Sequence, residues 1–194
     1  MGGVLDCVKS VTQAPDWDTP VVGMVSYSLV HRIGPAAFLD RAQGSGLSGV
    51  IVPDLPAEEA DEFAALTRER DFKLILLVTP TTSPERAELV VKACSGFVYC
   101  VSLVGITGER DQLPTGLTDQ LARLRTMTDL PLCVGFGVSR PEHAAALRDV
   151  ADGVIVGSAI VRRVEKLAAG ATGRQEVLGE VSTLVAEFAQ ALRT

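Results

Sequence analysis

Two short glycine motifs have the composition of an oxyanion site. GFG covers Gly135 to Gly137, and GSAIV covers Gly157 to Val161, each at the end of an apolar segment. Residues without bulk let backbone N–H groups approach an oxyanion, and a helix that begins at such a motif adds a partial positive charge. Glycine at strand ends can also make plain tight turns. The occurrence of both motifs after consecutive segments favours a phosphate site.

Candidates for acid–base chemistry are fewer. Asp54 is the only carboxylate inside a motif that ends an apolar segment, so it is a candidate general acid or base. The two histidines, His31 and His143, have no metal-ligand partner four residues further on, which favours solvated or capping roles. No metal site is expected.

Six apolar segments would carry these residues. Each has four to six Val, Ile, Leu or aromatic residues and is closed by Gly, Pro, Ser or Thr, a pattern typical of parallel strands buried on both faces. The segments are VVGMVSYS, GVIVPDLP, KLILLVTP, GFVYCVS, PLCVGFGVS and DGVIVGSA, beginning at Val21, Gly49, Lys73, Gly96, Pro131 and Asp152.

Stretches with helical spacing separate these strands. Ser83-Pro84 and Ser139 with Pro141 are helix-start signals, and Gly2 to Thr12 has the spacing of a helix. The other predicted helices are Pro35 to Gly44, Ala57 to Arg70, Pro84 to Ala93, Leu117 to Met127 and Pro141 to Val150. Alternating strands and helices predict an α/β fold with a parallel sheet.

A closed or nearly closed parallel barrel fits this order better than a doubly wound sheet does. A doubly wound sheet usually has a glycine-rich turn after its first strand, and VVGMVSYSLVHRIG has none. The one long interval leaves a loop from Leu103 to Pro114, which predicts a lid or a flexible segment.

Composition narrows the class of partner. The 194 residues are 47% hydrophobic and 22% charged, as in one ordinary globular domain covering 1–194, and the net charge of −6 argues against binding nucleic acid or anionic lipid. No signal peptide and no run of eighteen apolar residues is present, so a soluble, cytoplasmic protein is expected. The cysteines lack CxxC spacing and are expected in the core of a reduced protein. They are Cys7, Cys94, Cys100 and Cys133.

Five motifs in order resemble the tryptophan synthase α-subunit family. They are GVIVPDLPAEEADEF, LLVTPTTSPER, GFVYCVSLVGITGER, CVGFGVSRPEH and ADGVIVGSAIV. The resemblance implies a (β/α)₈ (TIM) barrel that cleaves indole-3-glycerol phosphate to indole and glyceraldehyde 3-phosphate by a retro-aldol step. It also implies a β-subunit partner in an α2β2 tetramer, and the pyridoxal phosphate cofactor belongs to that β-subunit.

Site residues follow from the same resemblance, position by position. Those implied to bind substrate are Ile51 and Val78 as walls for the indole ring, Tyr99 in the pocket, Thr107 and Gly108 in the mobile loop, and Gly135, Phe136, Gly137, Gly157 and Ser158 around the phosphate. Those implied to face the β-subunit are Tyr27, Ser28, Asp54 and Pro56.

One departure from the family concerns the length of the barrel and the catalytic carboxylates. A full barrel needs about 250 residues, and its phosphate site follows strands seven and eight. The six segments are therefore expected to be strands three to eight, with about two βα units of the barrel not included. The family's glutamate lies in a motif resembling ELGIPFSDP, with an aspartate shortly after it, and neither is found here. We therefore expect no cleavage by this chain alone.

Two alternatives stay open. Intact phosphate glycines without the carboxylates would also suit a non-catalytic subunit that binds a phosphate ligand or activates the β-subunit. A different phosphate barrel, such as an indole-glycerol-phosphate synthase or a ribulose-phosphate epimerase, would share the glycine site through its fold alone.

Overall fold

Strands and helices alternate along the chain in the computed structural model, which describes residues 1–102, 116–135, 137–168, 170 and 173–193. The strands are β1 Val21–Met24, β2 Leu47–Ile51, β3 Lys73–Ile75, β4 Leu77–Val78, β5 Val98–Val101, β6 Leu132–Gly135 and β7 Gly153–Val154. The helices are α1 Gly2–Thr12, α2 Tyr27–Ile33, α3 Pro35–Gly44, α4 Asp61–Glu69, α5 Pro84–Ala93, α6 Leu117–Arg125, α7 Pro141–Ala145, α8 Ser158–Ala168 and α9 Arg174–Arg193, with a 3₁₀ turn at Ala57–Glu59.

The contacts divide the chain into two compact units. The first contains Met1–Val78 and Thr82–Val98, and the second contains Thr79–Thr81 and Tyr99–Thr194. The prediction of a single domain over 1–194 stays a prediction.

The first unit is built on a parallel sheet of β1, β2 and β3 in that order. Gly49 of β2 faces Lys73, and a Cβ at this glycine would lie 2.7 Å from the Lys73 carbonyl oxygen, so only glycine lets the strands approach this closely. Helices α3 and α4 bury Phe38, Leu39 and Phe63. Helix α1 buries none of its residues.

The second unit places β5, β6 and β7 side by side, and β6 pairs with β7 in parallel through Cys133↔Gly153 and Val134↔Val154. The long helix α9 packs against α7 and α8 and buries Phe188. The parallel pairs in both units confirm the predicted α/β class with parallel sheets.

Several predicted bounds are reproduced, and others are not. Helices α1, α3 and α5 occupy the predicted ranges, and the Ser83 side chain accepts the N–H of Arg86 as a helix cap. The predicted helix from Ala57 to Arg70 is shorter in the structure, because the segment divides at Ala60 into a 3₁₀ turn and α4. Helix α7 ends at Ala145 rather than at Val150, and its N-cap is Arg140 rather than Ser139.

Two strands also differ from the prediction. The first strand ends at Met24, and the residues from Tyr27 onward form α2. The segment KLILLVTP is interrupted at Leu76, whose N–H donates to the Cys94 sulfur at 3.3 Å. The C-terminal helix α9 lies outside the predicted elements.

No helix among the residues described has both the length and the apolar content needed to cross a membrane.

Candidate functional site

The ends of β6 and β7 and the start of α8 form a glycine-rich edge in the second unit. The pairing continues past Val154, since the N–H of Ile155 donates to the Val134 carbonyl at 2.8 Å. Gly157 and Ser158 are exposed, and the Gly157 carbonyl accepts from the third and fourth residues after it. The first N–H groups of a helix have no partner within the helix, so this edge can accept an anion.

Tyr99 lies directly against Gly135 in this unit. The Tyr99 side chain is 4% exposed, and a Cβ at Gly135 would overlap its hydroxyl and lie 2.5 Å from Cε1 and Cζ. Burial raises the pKa of the Tyr99 phenol, so the hydroxyl is protonated at neutral pH. The structure thus brings together two of the predicted substrate-binding residues and requires glycine at one of them.

Ser102 holds the same glycine from the neighbouring strand. Its N–H and its hydroxyl both donate to the Gly135 carbonyl, each at 3.0 Å, and Ser102 is itself buried. The carbonyl therefore lies in a fixed direction at the end of β6. Sequence reasoning placed Ser102 only among the strand-end residues, because a serine ending an apolar segment gives no sign of its partner.

Gly137 has a φ of +87°, in the left-handed region that favours glycine, and begins the turn into α7. The ring of His143 lies within hydrogen-bond distance of this turn: Nδ1 is 3.2 Å from the Gly137 carbonyl oxygen and 3.4 Å from the Ser139 nitrogen. His143 is 8% exposed, so the prediction of a solvated ring is wrong for this residue, and the predicted capping role is closer to its contacts. The signal in the sequence was a histidine four residues after Ser139.

Asp54, the sequence candidate for an acid or base, has structural partners in the first unit. Its Oδ2 accepts from the Ser26 hydroxyl at 2.5 Å and its Oδ1 accepts the N–H of Tyr27 at 2.7 Å. These hydrogen bonds hold the pKa of the Asp54 carboxyl below its usual range. At neutral pH the group is an ionised carboxylate that fixes the start of α2, and it has no proton to give as a general acid.

The residues predicted to face a partner lie around this carboxylate. The Ser26 and Ser28 hydroxyls are 2.8 Å apart, and the Tyr27 ring packs edge-on against Phe63 with a centroid distance of 5.7 Å. Ser28 and Pro56 are exposed. The structure thus brings Tyr27, Ser28 and Asp54 together, and their partner role stays a prediction.

The predicted apolar walls lie in the core of the first unit. Ile51 ends β2 and Val78 ends β4, and both side chains are buried. Thr107, Gly108 and Phe136 lie outside the described residues. The roles of all five in substrate binding stay predictions.

Cysteine burial follows the prediction with one exception. Cys94 and Cys100 are buried, Cys133 is half-buried, and Cys7 is exposed on α1, so the expectation of a core position is wrong for Cys7. Burial raises the pKa of the Cys94 thiol to about 11. Within the described ranges, no three His, Cys, Asp or Glu side chains come together as metal ligands.

Parallel strands joined by helices, with glycines and a helix N-terminus at the ends of two neighbouring strands, define an α/β protein with an edge that can hold a small anion. Comparison of the sequence with known families identifies the particular one: the sequence model of the tryptophan synthase alpha chain matches residues 1–193. The chain belongs to the tryptophan synthase alpha chain family.

Relatives and solved structures agree with this assignment. A tryptophan synthase alpha chain from Rhodopirellula baltica is 55% identical over 162 residues, which are 83% of this chain and 58% of the relative. A structure of Mycobacterium tuberculosis tryptophan synthase is similar with a TM-score of 0.83 and 32% identity, over 100% of this chain and 69% of that one. The structure of the tryptophan synthase α2β2 complex from Pyrococcus furiosus is similar with a TM-score of 0.83 and 35% identity, over 96% of this chain and 72% of that one.

The chain spans less than two thirds of the length of several relatives. The matched region covers 58% of the Rhodopirellula baltica protein, 62% of the one from Carboxydothermus hydrogenoformans and 53% of the one from Methanocaldococcus jannaschii.

Proposed function

We propose that this chain is part of a lyase that cleaves indole-3-glycerol phosphate to indole and glyceraldehyde 3-phosphate in tryptophan biosynthesis. Membership of the tryptophan synthase alpha chain family supports the reaction. On this proposal the six strand segments correspond to units three to eight of the family's barrel, with β6 and β7 as strands seven and eight.

The glycine-rich edge of the second unit is the observation that carries the proposal. The phosphate would be held by N–H groups at Gly135, Gly137, Gly157 and Ser158, with Phe136 between the first two glycines. Exposure of Gly157 and Ser158 at the start of an eleven-residue helix supports this role, because a helix N-terminus favours negative charge.

The rest of the substrate pocket follows the family. Tyr99 would line the indole-glycerol portion, Ile51 and Val78 would contribute apolar surface for the indole ring, and Thr107 and Gly108 would belong to the loop that closes over it. Closure of such a loop excludes water from the reacting atoms.

The partner on this proposal is a tryptophan synthase β-subunit in an α2β2 tetramer, which carries the pyridoxal phosphate. The similar Pyrococcus furiosus structure is of an α2β2 complex. The surface proposed for contact includes Tyr27, Ser28, Asp54 and Pro56. Because the Asp54 carboxylate fixes the start of α2, it would hold that helix in one orientation at the proposed contact surface.

Cleavage also needs a general acid and a general base, and the 194 residues contain no segment resembling ELGIPFSDP. We therefore expect these residues by themselves to bind a phosphate ligand without cleaving it, since binding alone leaves the barrier largely intact. The phosphate-site glycines without the catalytic carboxylates also support a second candidate, a non-catalytic subunit that binds a phosphate ligand or activates the β-subunit.

A pair of glycine substitutions tests the phosphate role. In Gly157→Ala the added Cβ has no atom of the described residues within 4 Å, so the fold should tolerate it, while the methyl group would occupy space beside the bound anion. We expect calorimetric affinity for glycerol 3-phosphate to fall at least about tenfold. Gly173→Ala is the matched control, because Gly173 also precedes a long helix and has open space around it.

Two results would contradict the proposal. One is a wild-type chain that fails to bind glycerol 3-phosphate, and the other is equal binding by Gly157→Ala and Gly173→Ala. An indole-release assay tests the expectation that these residues do not cleave indole-3-glycerol phosphate by themselves. Turnover by the 194 residues alone, abolished by Asp54→Asn, would show that the acid–base chemistry is misplaced.

A further inference from the structure

His143 has an unusual set of contacts for a buried histidine. Its side chain is buried, and it lies on α7, which packs against α9. Nδ1 has two backbone neighbours, the Gly137 carbonyl at 3.2 Å and the Ser139 nitrogen at 3.4 Å. Nε2 is fully buried and has no hydrogen-bond partner among the described residues.

Nδ1 cannot serve both neighbours at once. If Nδ1 accepts from the Ser139 N–H in the neutral ring, Nε2 carries the proton and leaves a buried N–H without an acceptor. If Nδ1 carries the proton and donates to the Gly137 carbonyl, Nε2 is left as a buried lone pair, and the N–H of the half-buried Ser139 loses Nδ1 as its acceptor. Orphaned buried N–H groups are rarer than under-satisfied acceptors, and the distance to the carbonyl is the shorter of the two.

Donation from His143 to the Gly137 carbonyl would restrict the first residue of the turn into α7. Gly137 is exposed and adopts a φ of +87°, and glycine is the residue with the most conformations to lose. A hydrogen bond to its carbonyl fixes the peptide plane between Gly137 and Val138. Since that peptide is planar and trans, the Val138 N–H then points away from the imidazole.

We propose that His143 is a positioning residue for the anion site: its Nδ1–H donates to the Gly137 carbonyl and holds the turn in its binding conformation. The phosphate part of this inference rests on the proposed function, whereas the hydrogen bond does not. His143 acts through the backbone of Gly137 and does not itself touch the ligand.

Nuclear magnetic resonance tests the hydrogen bond without any ligand. The chain has two histidines, so the His31→Leu variant leaves His143 as the only imidazole. We expect two-bond ¹H–¹⁵N spectra at neutral pH to show the Nδ1–H tautomer. The Nε2–H tautomer would overturn the proposed donation to the Gly137 carbonyl.

Binding of glycerol 3-phosphate tests the positioning role. His143→Leu should weaken calorimetric binding about tenfold, because it removes the hydrogen bond that fixes the turn. His143→Asn should recover most of the affinity, since an asparagine amide can donate from nearly the position of Nδ1. His31→Leu is the control, because His31 is exposed on α2, and its affinity should equal that of the wild type.

The remaining outcomes distinguish the positioning role of His143 from the proposed phosphate binding. Equal affinity of His143→Leu, His143→Asn and the wild type would refute the positioning role even if the proposed function holds. If the wild type does not bind glycerol 3-phosphate at all, the proposed function fails. The amide resonances of Val138 and Ser139 then decide the structural part: they should move in His143→Leu and not in His31→Leu, and unmoved resonances would refute it.

Discussion

Replacing Gly135 by alanine should destabilise the second unit through one identifiable contact. The new Cβ would lie 2.5 Å from Cε1 and Cζ of Tyr99, whereas carbon atoms in favourable contact are about 3.5–4.0 Å apart. The atoms would have to separate by roughly 1 Å or more. Tyr99 is buried, and the carbonyl of Gly135 is held by Ser102, so neither side can move freely.

Overpacking of this kind costs about 1–3 kcal/mol of the free energy of unfolding. Urea denaturation followed by far-ultraviolet circular dichroism would measure it, with Gly179→Ala as control. Gly179 lies exposed in α9, and no atom in the described part of the chain lies within 4 Å of an added Cβ. That substitution should stabilise by about 0.5–1 kcal/mol, because alanine is the better helix former.

A double-mutant cycle isolates the contact. Tyr99→Phe removes only the hydroxyl and should relieve part of the cost of Gly135→Ala, while Tyr99→Leu also removes the crowded ring atoms and should relieve more. We expect a coupling energy of about 1 kcal/mol or more between Gly135→Ala and Tyr99→Leu. Strictly additive effects, or a Gly135→Ala variant as stable as the wild type, would show that an added Cβ is not crowded by the Tyr99 ring.

Two further predictions concern titratable groups. Asp54→Asn should cost about 0.5–1 kcal/mol at neutral pH, the low end of helix-cap effects, because the carboxylate is exposed. Folding lowers the pKa of Asp54, so the contribution of this carboxylate to the free energy of unfolding is present above about pH 4 and is lost as the pH falls through the lowered pKa. The wild type should therefore lose more stability than Asp54→Asn between about pH 4 and 2. Urea midpoints that fall in parallel for the two proteins would contradict this. The Cys94 thiol, with a pKa of about 11, should be about one thousandth thiolate at pH 8 and should escape iodoacetamide while Cys7 is labelled. Peptide mass spectrometry would check this, and equal labelling of the two cysteines would count against it.

The sequence predicts helices well where local signals mark both ends. Helices α3 and α5 each begin with a proline at the first helical position, and Ser83 supplies a side-chain cap, so their bounds follow from nearby residues. Helix α2 has no proline at its first position, and the side chain of its N-cap, Ser26, makes no capping hydrogen bond. Its start is held by Asp54, 27 residues away from Tyr27 along the chain, and a contact at that distance is not visible in a local pattern.

The interruption of the segment KLILLVTP was not predicted for a similar reason. Leu76 lies in an unbroken apolar run, yet its N–H donates to the Cys94 sulfur, 18 residues further along the chain. Spacing alone assigns no partner to a backbone N–H. The burial of His143 also depends on packing of α7 against α9, and α9 was outside the predicted elements.

The candidate site was predictable in its glycines and less so in its supports. The positions of Gly135 and Gly157 at the ends of paired strands follow from motif and order. The need for glycine at Gly135 follows from the ring of Tyr99, which the sequence placed in the same pocket without showing the contact. The hydrogen bonds from Ser102 and the position of the His143 ring depend on contacts that form only in the folded chain.

Titration with glycerol 3-phosphate, followed by amide resonances, tests whether the glycine-rich edge binds phosphate. We expect the ligand to shift the amide resonances of Gly137, Gly157 and Ser158 in a saturable way. The result that would contradict it is a titration in which these three resonances stay in place, including one in which the shifts fall instead on the groove lined by Thr12, Trp17 and Ser48 in the first unit.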